Sequence, residues 1–370
     1  MVILHFAAIE NNPFNGVCVA APQHVISQKE FATVGFINIK NIESDALKDY
    51  PGTQMDFVKP FDIKVLPNPF NKPDIVVFHE CYRVDYLQIA KNLRKNGIPY
   101  VDMPHGELRA EAQKKKHLKK VVANMLLFNS FINHSIALQC LSDDEMKATH
   151  FRKKKFVGTN GISIPERHKS EFSKEGIKFI YIGRYEWRVK GLDLLFKAIN
   201  LDADLLRRNK CHFDLYGPDI LGRLDQVRQL VKENGIEDLV SLYTEISGAE
   251  KEEKLLAADI FIQTSRHEGM PMGILEAMSY GIPCVITEGT TLAKHVEYFG
   301  AGWNAKNSSE DIANGLIQVL NEKENYIEKC RCSIQYVENY FAWNVVSENT
   351  IKQYDMCLNK SIMTNNFNLK

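Results

Sequence analysis

Short apolar runs bounded by turn-forming residues alternate along this chain with longer stretches in which apolar residues recur every three or four positions. Runs of the first kind suit buried strands and those of the second suit amphipathic helices, so the alternation predicts parallel sheets covered by helices. VILHFA (2–7), TVGFINI (33–39), DIKVL (62–66), DIVVFH (74–79), PYVDM (99–103) and IALQCLS (136–142) are the expected strands of a first unit. Among the helices, DYLQIAKNLRKNG (85–97) is the plainest, with Gly97 as its stop. After FVGTNGISIP the chain turns polar, and ERHKSEFSKEG opens an expected linker over 166–177. KFIYIG, HFDLYG, LVSLY, DIFIQTS and PCVIT are the expected strands of a second unit. The fold class that follows is α/β, two facing Rossmann-like doubly wound domains with an interdomain cleft: 1–165, then 178–340 after the linker.

Length agrees with that division, since 370 residues with 45% hydrophobic and 25% charged residues suit two cores better than one. Eight cysteines are scattered without a CxxC or a repeated spacing, which points away from a zinc site and a disulfide framework and towards a reducing, cytoplasmic setting. The opening VILHFAAI lacks the flanks of a signal peptide, and no run approaches the roughly 18 apolar residues of a membrane span. A formal charge of zero conceals a polarity: residues 1–165 hold 21 Lys+Arg against 16 Asp+Glu, and the remainder holds 25 against 30. Two basic runs, KKKHLKK (114–120) and RKKK (152–155), carry much of the excess. They suit an anionic membrane surface or a plain solvated face, and they lack the interleaved aromatic residues of a single-strand nucleic-acid site.

Ligands of doubly wound sheets bind beyond the carboxyl ends of the strands, so the loops after the strands are where chemistry is expected. After KFIYIG come Arg184 and Lys190, with Gly191 opening an amphipathic helix. Two cations beside free helical N–H groups make an anion site that fits a diphosphate. After HFDLYG, Gly217 and Pro218 make a tight turn that lets a flat ligand approach the backbone. After DIFIQTS comes RHEGMPMGILEAM, which sets Glu268 on a loop shaped by Gly269 and Pro271 and Glu276 on the helix behind it, with Gly273 permitting close approach. Spacing alone is not distinctive, because Glu237 with Glu245 and Glu245 with Glu253 are also eight apart. A DxD occurs at Asp202, Ala203 and Asp204, but it follows a helix rather than a strand, which favours a solvated pair over a metal site.

Taken together, YIGRYEWRVKGLDLLFKAI, LYGPD and ADIFIQTSRHEGMPMGILEAMSYGIPCVITEGT resemble, in order and spacing, the retaining glycosyltransferases of family four, also called group 1, which have the GT-B fold. The resemblance implies a cytoplasmic enzyme, and on that reading the basic runs, with Lys114, Lys115, Lys116, Lys119 and Lys120, would help hold it against the inner face of the plasma membrane. It would move a hexosyl or related group, with retention, from a UDP- or GDP-linked donor to a saccharide or lipid-linked saccharide in bacterial surface polysaccharide assembly. It further implies no metal, no cofactor beyond the donor and no nucleic acid. Arg184 and Lys190 would hold the diphosphate, Glu268 the donor sugar and Glu276 the ribose. Gly217 would lie near the base, with Gly269, Met270, Gly273, Ile274 and Leu275 completing the donor site. In the first unit PHGEL is similar to the family's Pro-His-Gly stretch, which makes His105 a catalytic candidate. Gly16 in NPFNGVCVAA stands where the family has a glycine-rich loop, with one glycine in place of the usual pair. YFAWNVVSENTIKQY resembles the final helix that crosses back to the first domain (341–358), ahead of a tail over 359–370. Two other readings stay open: a sugar-nucleotide epimerase of the same fold, and a basic binding module without catalysis.

Overall fold

The structure, a computed structural model, describes residues 1–12, 15–110, 113, 127–220 and 222–367; the run 114–120, with its five lysines, lies outside them. The chain forms two compact units, Met1–Gly161 with Trp343–Lys370, and Ile162–Ala342.

In the first unit seven strands form one parallel sheet in the order β3-β2-β1-β4-β5-β6-β7. They are β1 Val2–Ala7, β2 Thr33–Asn38, β3 Gln54–Met55, β4 Ile75–His79, β5 Tyr100–Met103, β6 Ala137–Cys140 and β7 Lys155–Val157. The strands are apolar on both faces because both are covered. Leu4, Phe6, Phe78 and Tyr100 pack on one side with Tyr86 and Phe131. Ile3, Ala7, Val77 and Met103 pack on the other with Val25, and with Tyr354 and Cys357 of the last helix, Trp343–Phe367. That helix runs past the expected end at 358 into the segment expected as a tail.

DIKVL is not a strand. The Asp62 side chain accepts from the Lys64 amide and starts the single 3-10 turn Ile63–Val65, which buries Ile63 and leaves Val65 exposed. The basic run 152–155 is structural in part. Lys153 Nζ donates to the Asn133 carbonyl at 2.6 Å, Lys154 to that of Met356 at 3.3 Å, and Lys155, inside β7, to those of Met146 and Thr149.

The second unit holds β8 Ile177–Ile182, β9 Cys211–Tyr216, β10 Val240–Tyr243, β11 Ile260–Gln263, β12 Cys284–Thr287 and β13 Gly302–Ala305, all parallel, in the order β10-β9-β8-β11-β12-β13. Strand order reverses between β8 and β11, so the switch-point crevice opens beyond the carboxyl ends of those two strands. Helix Leu192–Leu201 buries Leu192, Leu195, Phe196 and Ile199 in the core around Phe179 and Phe213, and helix Met272–Ser279 buries Ile274, Leu275 and Met278 around Phe261. The stretch expected as a linker is packed into this unit. Lys169 is buried, its Nζ 3.4 Å from Asp259, whose carboxylate also accepts from the Ser173 and Lys178 amides at 2.9 Å. Asp202 links two helices and Asp204 lies in solvent, paired with Arg207 at 3.2 Å.

Candidate functional site

At the β8/β11 switch point the loops after the two strands are tied together by a cation and a carboxylate. Lys190 Nζ donates to Glu268 Oε1, and both side chains are only 13% exposed. The same oxygen accepts from Gln263 Nε2 at 2.8 Å and from Ser265 Oγ at 2.8 Å. Oε2 has no partner among the described residues. Backbone contacts fix both ends of the pair: the Glu268 amide donates to the Gly289 carbonyl at 2.9 Å, and the Arg266 amide to the Val189 carbonyl at 2.9 Å. A carboxylate held on one oxygen and open on the other can accept from a sugar hydroxyl without moving.

Gly191 is required at this junction for two reasons. Its φ of +65° is left-handed, and a Cβ there would lie 1.9 Å from the Thr264 carbonyl oxygen. Gly191→Ala therefore lowers the stability of the second unit by about 2–3 kcal/mol, measured by chemical denaturation. Gly217 is also forced, but by the protein rather than by a ligand: a Cβ would lie 2.0 Å from the Gly183 carbonyl oxygen. Among the described residues nothing lies within 4 Å of a Cβ built on Gly16, which opens helix Gly16–Gln28 behind an Asn15 cap.

The other predicted donor residues separate into two groups. Arg184 stays off the central pair; its guanidinium, half exposed, is 3.6 Å from Glu186. Glu276 is held at 2.5 Å by Lys251 of helix Gly248–Ala257, a partner the sequence pattern did not reveal. Ile274 and Leu275 offer a donor neither side chain nor amide, since both side chains are in the core and both amides donate to the Pro271 carbonyl, at 3.0 and 3.3 Å. Gly269, Met270 and Gly273 remain in and beside the loop that follows β11.

In the first unit His105 follows β5 on a backbone with φ +47°, beside Gly106 at φ +85°. A non-glycine residue in that region is strained, and carboxylates hold the corner in place. Glu145 accepts from the Gly106 amide at 2.6 Å and the Leu141 amide at 2.7 Å, and Glu107 accepts from the Cys81 amide at 2.7 Å. Burial raises the Glu145 carboxyl in spite of those bonds. Asp102, on β5, is fully buried with neither carboxylate oxygen partnered among the described residues, and burial pushes its pKa well up.

Behind His105 lies a row of histidines that the sequence pattern did not single out. His105 Nε2 is 3.0 Å from His79 Nδ1, His79 Nε2 is 3.0 Å from His5 Nδ1, and His5 Nε2 is 3.0 Å from Gln28 Oε1. His24 stands beside the row, its ring centroid 5.9 Å from that of His79 and its Nε2 3.0 Å from Asn160 Oδ1. Burial lowers His5 and His105 to about 3 and His24 to about 4, and holds His79 well below the ordinary range. The signal was there to find, as a histidine inside each of two otherwise apolar runs, VILHFA and DIVVFH.

Residues 163–337 match the family model described as glycosyl transferases group 1. The mannosylfructose-phosphate synthase of Agrobacterium fabrum is 24% identical over 185 residues, 49% of this chain and 40% of that protein, so the chain spans well under two thirds of that relative. The GDP-mannose:cellobiosyl-diphosphopolyprenol alpha-mannosyltransferase of Xanthomonas oryzae pv. oryzae is 23% identical over 286 residues, 76% of this chain and 73% of that one. Among solved structures, Anabaena Alr3699/HepE in complex with UDP superposes with a TM-score of 0.70 at 16% identity, covering 96% of this chain and 100% of that one. WaaG, a glycosyltransferase involved in lipopolysaccharide biosynthesis, superposes with a TM-score of 0.63 at 14% identity, covering 94% and 98%. At such identities the likeness establishes the fold, which is GT-B.

Proposed function

We propose, from the match of residues 163–337 to the model of the group 1 glycosyl transferases, that this chain transfers a sugar from a nucleoside-diphosphate donor to a saccharide or lipid-linked saccharide acceptor, with retention of configuration. The setting we propose is surface polysaccharide assembly, in keeping with the lipopolysaccharide and diphosphopolyprenol named for its relatives. The observation that carries the reading is the Lys190–Glu268 pair at the β8/β11 switch point.

Departure of a nucleoside diphosphate builds negative charge on the diphosphate while the anomeric carbon becomes positive. Lys190, Arg184 and the start of helix Leu192–Leu201 supply the cationic side, each charge-assisted hydrogen bond contributing about 1.5–3 kcal/mol. Glu268 Oε2 orients the donor sugar, and Glu276 takes the ribose hydroxyls. His105 is the first unit's candidate for a hydrogen bond to a sugar hydroxyl. With the leaving group neutralised by side chains, a divalent ion is not required.

The test is thermal unfolding with saturating UDP or GDP in excess EDTA. One of the two nucleotides raises the melting temperature, as a ligand at about 100 times its Kd adds roughly 2.7 kcal/mol, and Lys190→Ala abolishes the rise. No rise with either nucleotide, or a crystal complex with the diphosphate away from Arg184 and Lys190, overturns the proposal.

A further inference from the structure

The histidines behind His105 step diagonally across three adjacent strands. His5 on β1 is in register with Val77 on β4, and His79 lies two residues further along β4; His79 is in register with Met103 on β5, and His105 lies two residues beyond. The two-residue step keeps His5 and His79 on one face of the sheet, and His105, past the end of β5, joins them through the 3.0 Å contact of its Nε2 with His79 Nδ1. The rings stack at centroid distances of 5.2 and 5.3 Å with interplanar angles of 28° and 26°, and Gln28, in helix Gly16–Gln28, closes the inner end. His5 and His79 are wholly buried, while His105 is the member that reaches the surface.

Such a row has a polarity. A neutral imidazole has one N–H and one lone pair, and each nitrogen-to-nitrogen contact needs one of each. If His5 Nε2 donates to Gln28 Oε1, then His5 Nδ1 accepts, so His79 Nε2 donates and His79 Nδ1 accepts, so His105 Nε2 donates. The His105 Nδ1 atom is then a lone pair. A reversed Gln28 amide would reverse every link and leave an N–H at the surface instead.

We propose that Gln28, His5 and His79 are positioning residues that set the tautomer of His105, so that its Nδ1 meets a substrate hydroxyl as a hydrogen-bond acceptor. Burial keeps the row uncharged at neutral pH, because each of these histidines is lowered far from its ordinary value. His105 therefore accepts from a sugar hydroxyl without becoming an acid that could protonate the departing diphosphate. The part of the proposal that concerns substrate rests on the glycosyl-transfer reading; the relay itself does not.

The wild-type chain, labelled with 15N at histidine, tests the relay directly. Long-range 1H–15N spectra, assigned by single His→Gln variants, show His5, His79 and His105 all as the Nε2–H tautomer between pH 6 and 8. A mixed set of tautomers overturns the relay, and Nδ1–H on all three reverses it and overturns the acceptor role of His105 Nδ1; either outcome is read from the wild-type protein itself. In Gln28→Leu the His105 signal moves toward a mixture of tautomers. Its kcat/KM then falls about tenfold, the effect of one misdirected hydrogen bond, while the nucleotide-induced melting shift stays unchanged. An unchanged His105 tautomer, or an unchanged kcat/KM, counts against the proposal. Should no nucleotide sugar be turned over at all, the tautomers still decide the relay, and the failure belongs to the glycosyl-transfer reading.

Discussion

Glu268→Gln lowers kcat by roughly 10²–10³-fold while nucleotide affinity stays within a few-fold of wild type. The wild-type carboxylate accepts three hydrogen bonds on Oε1, from Lys190, Gln263 and Ser265, and keeps Oε2 for the ligand. Glutamine preserves the shape and the carbonyl but replaces the free acceptor by an NH₂ group, which presents hydrogens where a sugar hydroxyl must donate. It also removes the negative charge beside the developing positive charge of the anomeric carbon. The same change replaces the charged partner of Lys190 by a neutral carbonyl, so its hold on a diphosphate is maintained or strengthened; this is why affinity and turnover part company. Loss of one member of a mostly buried ion pair lowers stability as well, and a melting curve separates that effect from catalysis. Steady-state turnover with the best donor, together with calorimetric titration of UDP or GDP, makes the comparison. Near-normal turnover removes Glu268 from the mechanism.

The second unit was the more legible in sequence, for a physical reason. Four of its strands are mainly apolar runs of four to six residues, three of them followed directly by Gly183, Gly217 or Thr264, and the residues that follow are what the switch-point rule selects. Side-chain pairing was not legible. Lys190 and Glu268 lie 78 residues apart and meet because β8 and β11 are neighbours, and Lys251 reaches Glu276 from helix Gly248–Ala257, outside the loops that the switch-point rule selects. Polarity misled at 166–177, where a buried lysine and the Asp259 carboxylate satisfy each other inside the fold. β3 and β7 are two and three residues long, too short for a period to register, and β7 begins within the basic run. In the first unit the histidines on β1 and β4 were absorbed into apolar strands. Their meaning depends on register, which no local pattern carries.

Acidification from pH 7 to pH 5 removes about 2 kcal/mol of stability from the first unit for each of His5 and His24. The folded values lie at about 3 and about 4, below the ordinary 6.5, with burial as the first cause in both. Each contribution is therefore complete above pH 6.5 and is lost as pH falls toward the folded value, because the unfolded chain takes up the proton first. His79 acts in the same direction. Asp102 and Glu145 act in the opposite one, since burial raises both and the folded chain holds their protons more firmly than the unfolded chain does. Wild-type denaturation curves thus mix two signs, and the diagnostic quantity is a difference in slope. His24→Asn gives a plot of unfolding free energy against pH that is shallower than wild type by about 1.4 kcal/mol per pH unit between pH 6 and 4.5, the weight of one proton. The variant also loses the contact of His24 with the Trp343 ring, whose centroid is 5.0 Å away, and its bond to Asn160, so its curve starts lower at pH 7.5. That offset is independent of pH, whereas the proton is not. Parallel curves in urea titrations of the two proteins would mean that His24 is already charged or solvated in the folded chain, and the uncharged histidine row beside it would lose its physical basis.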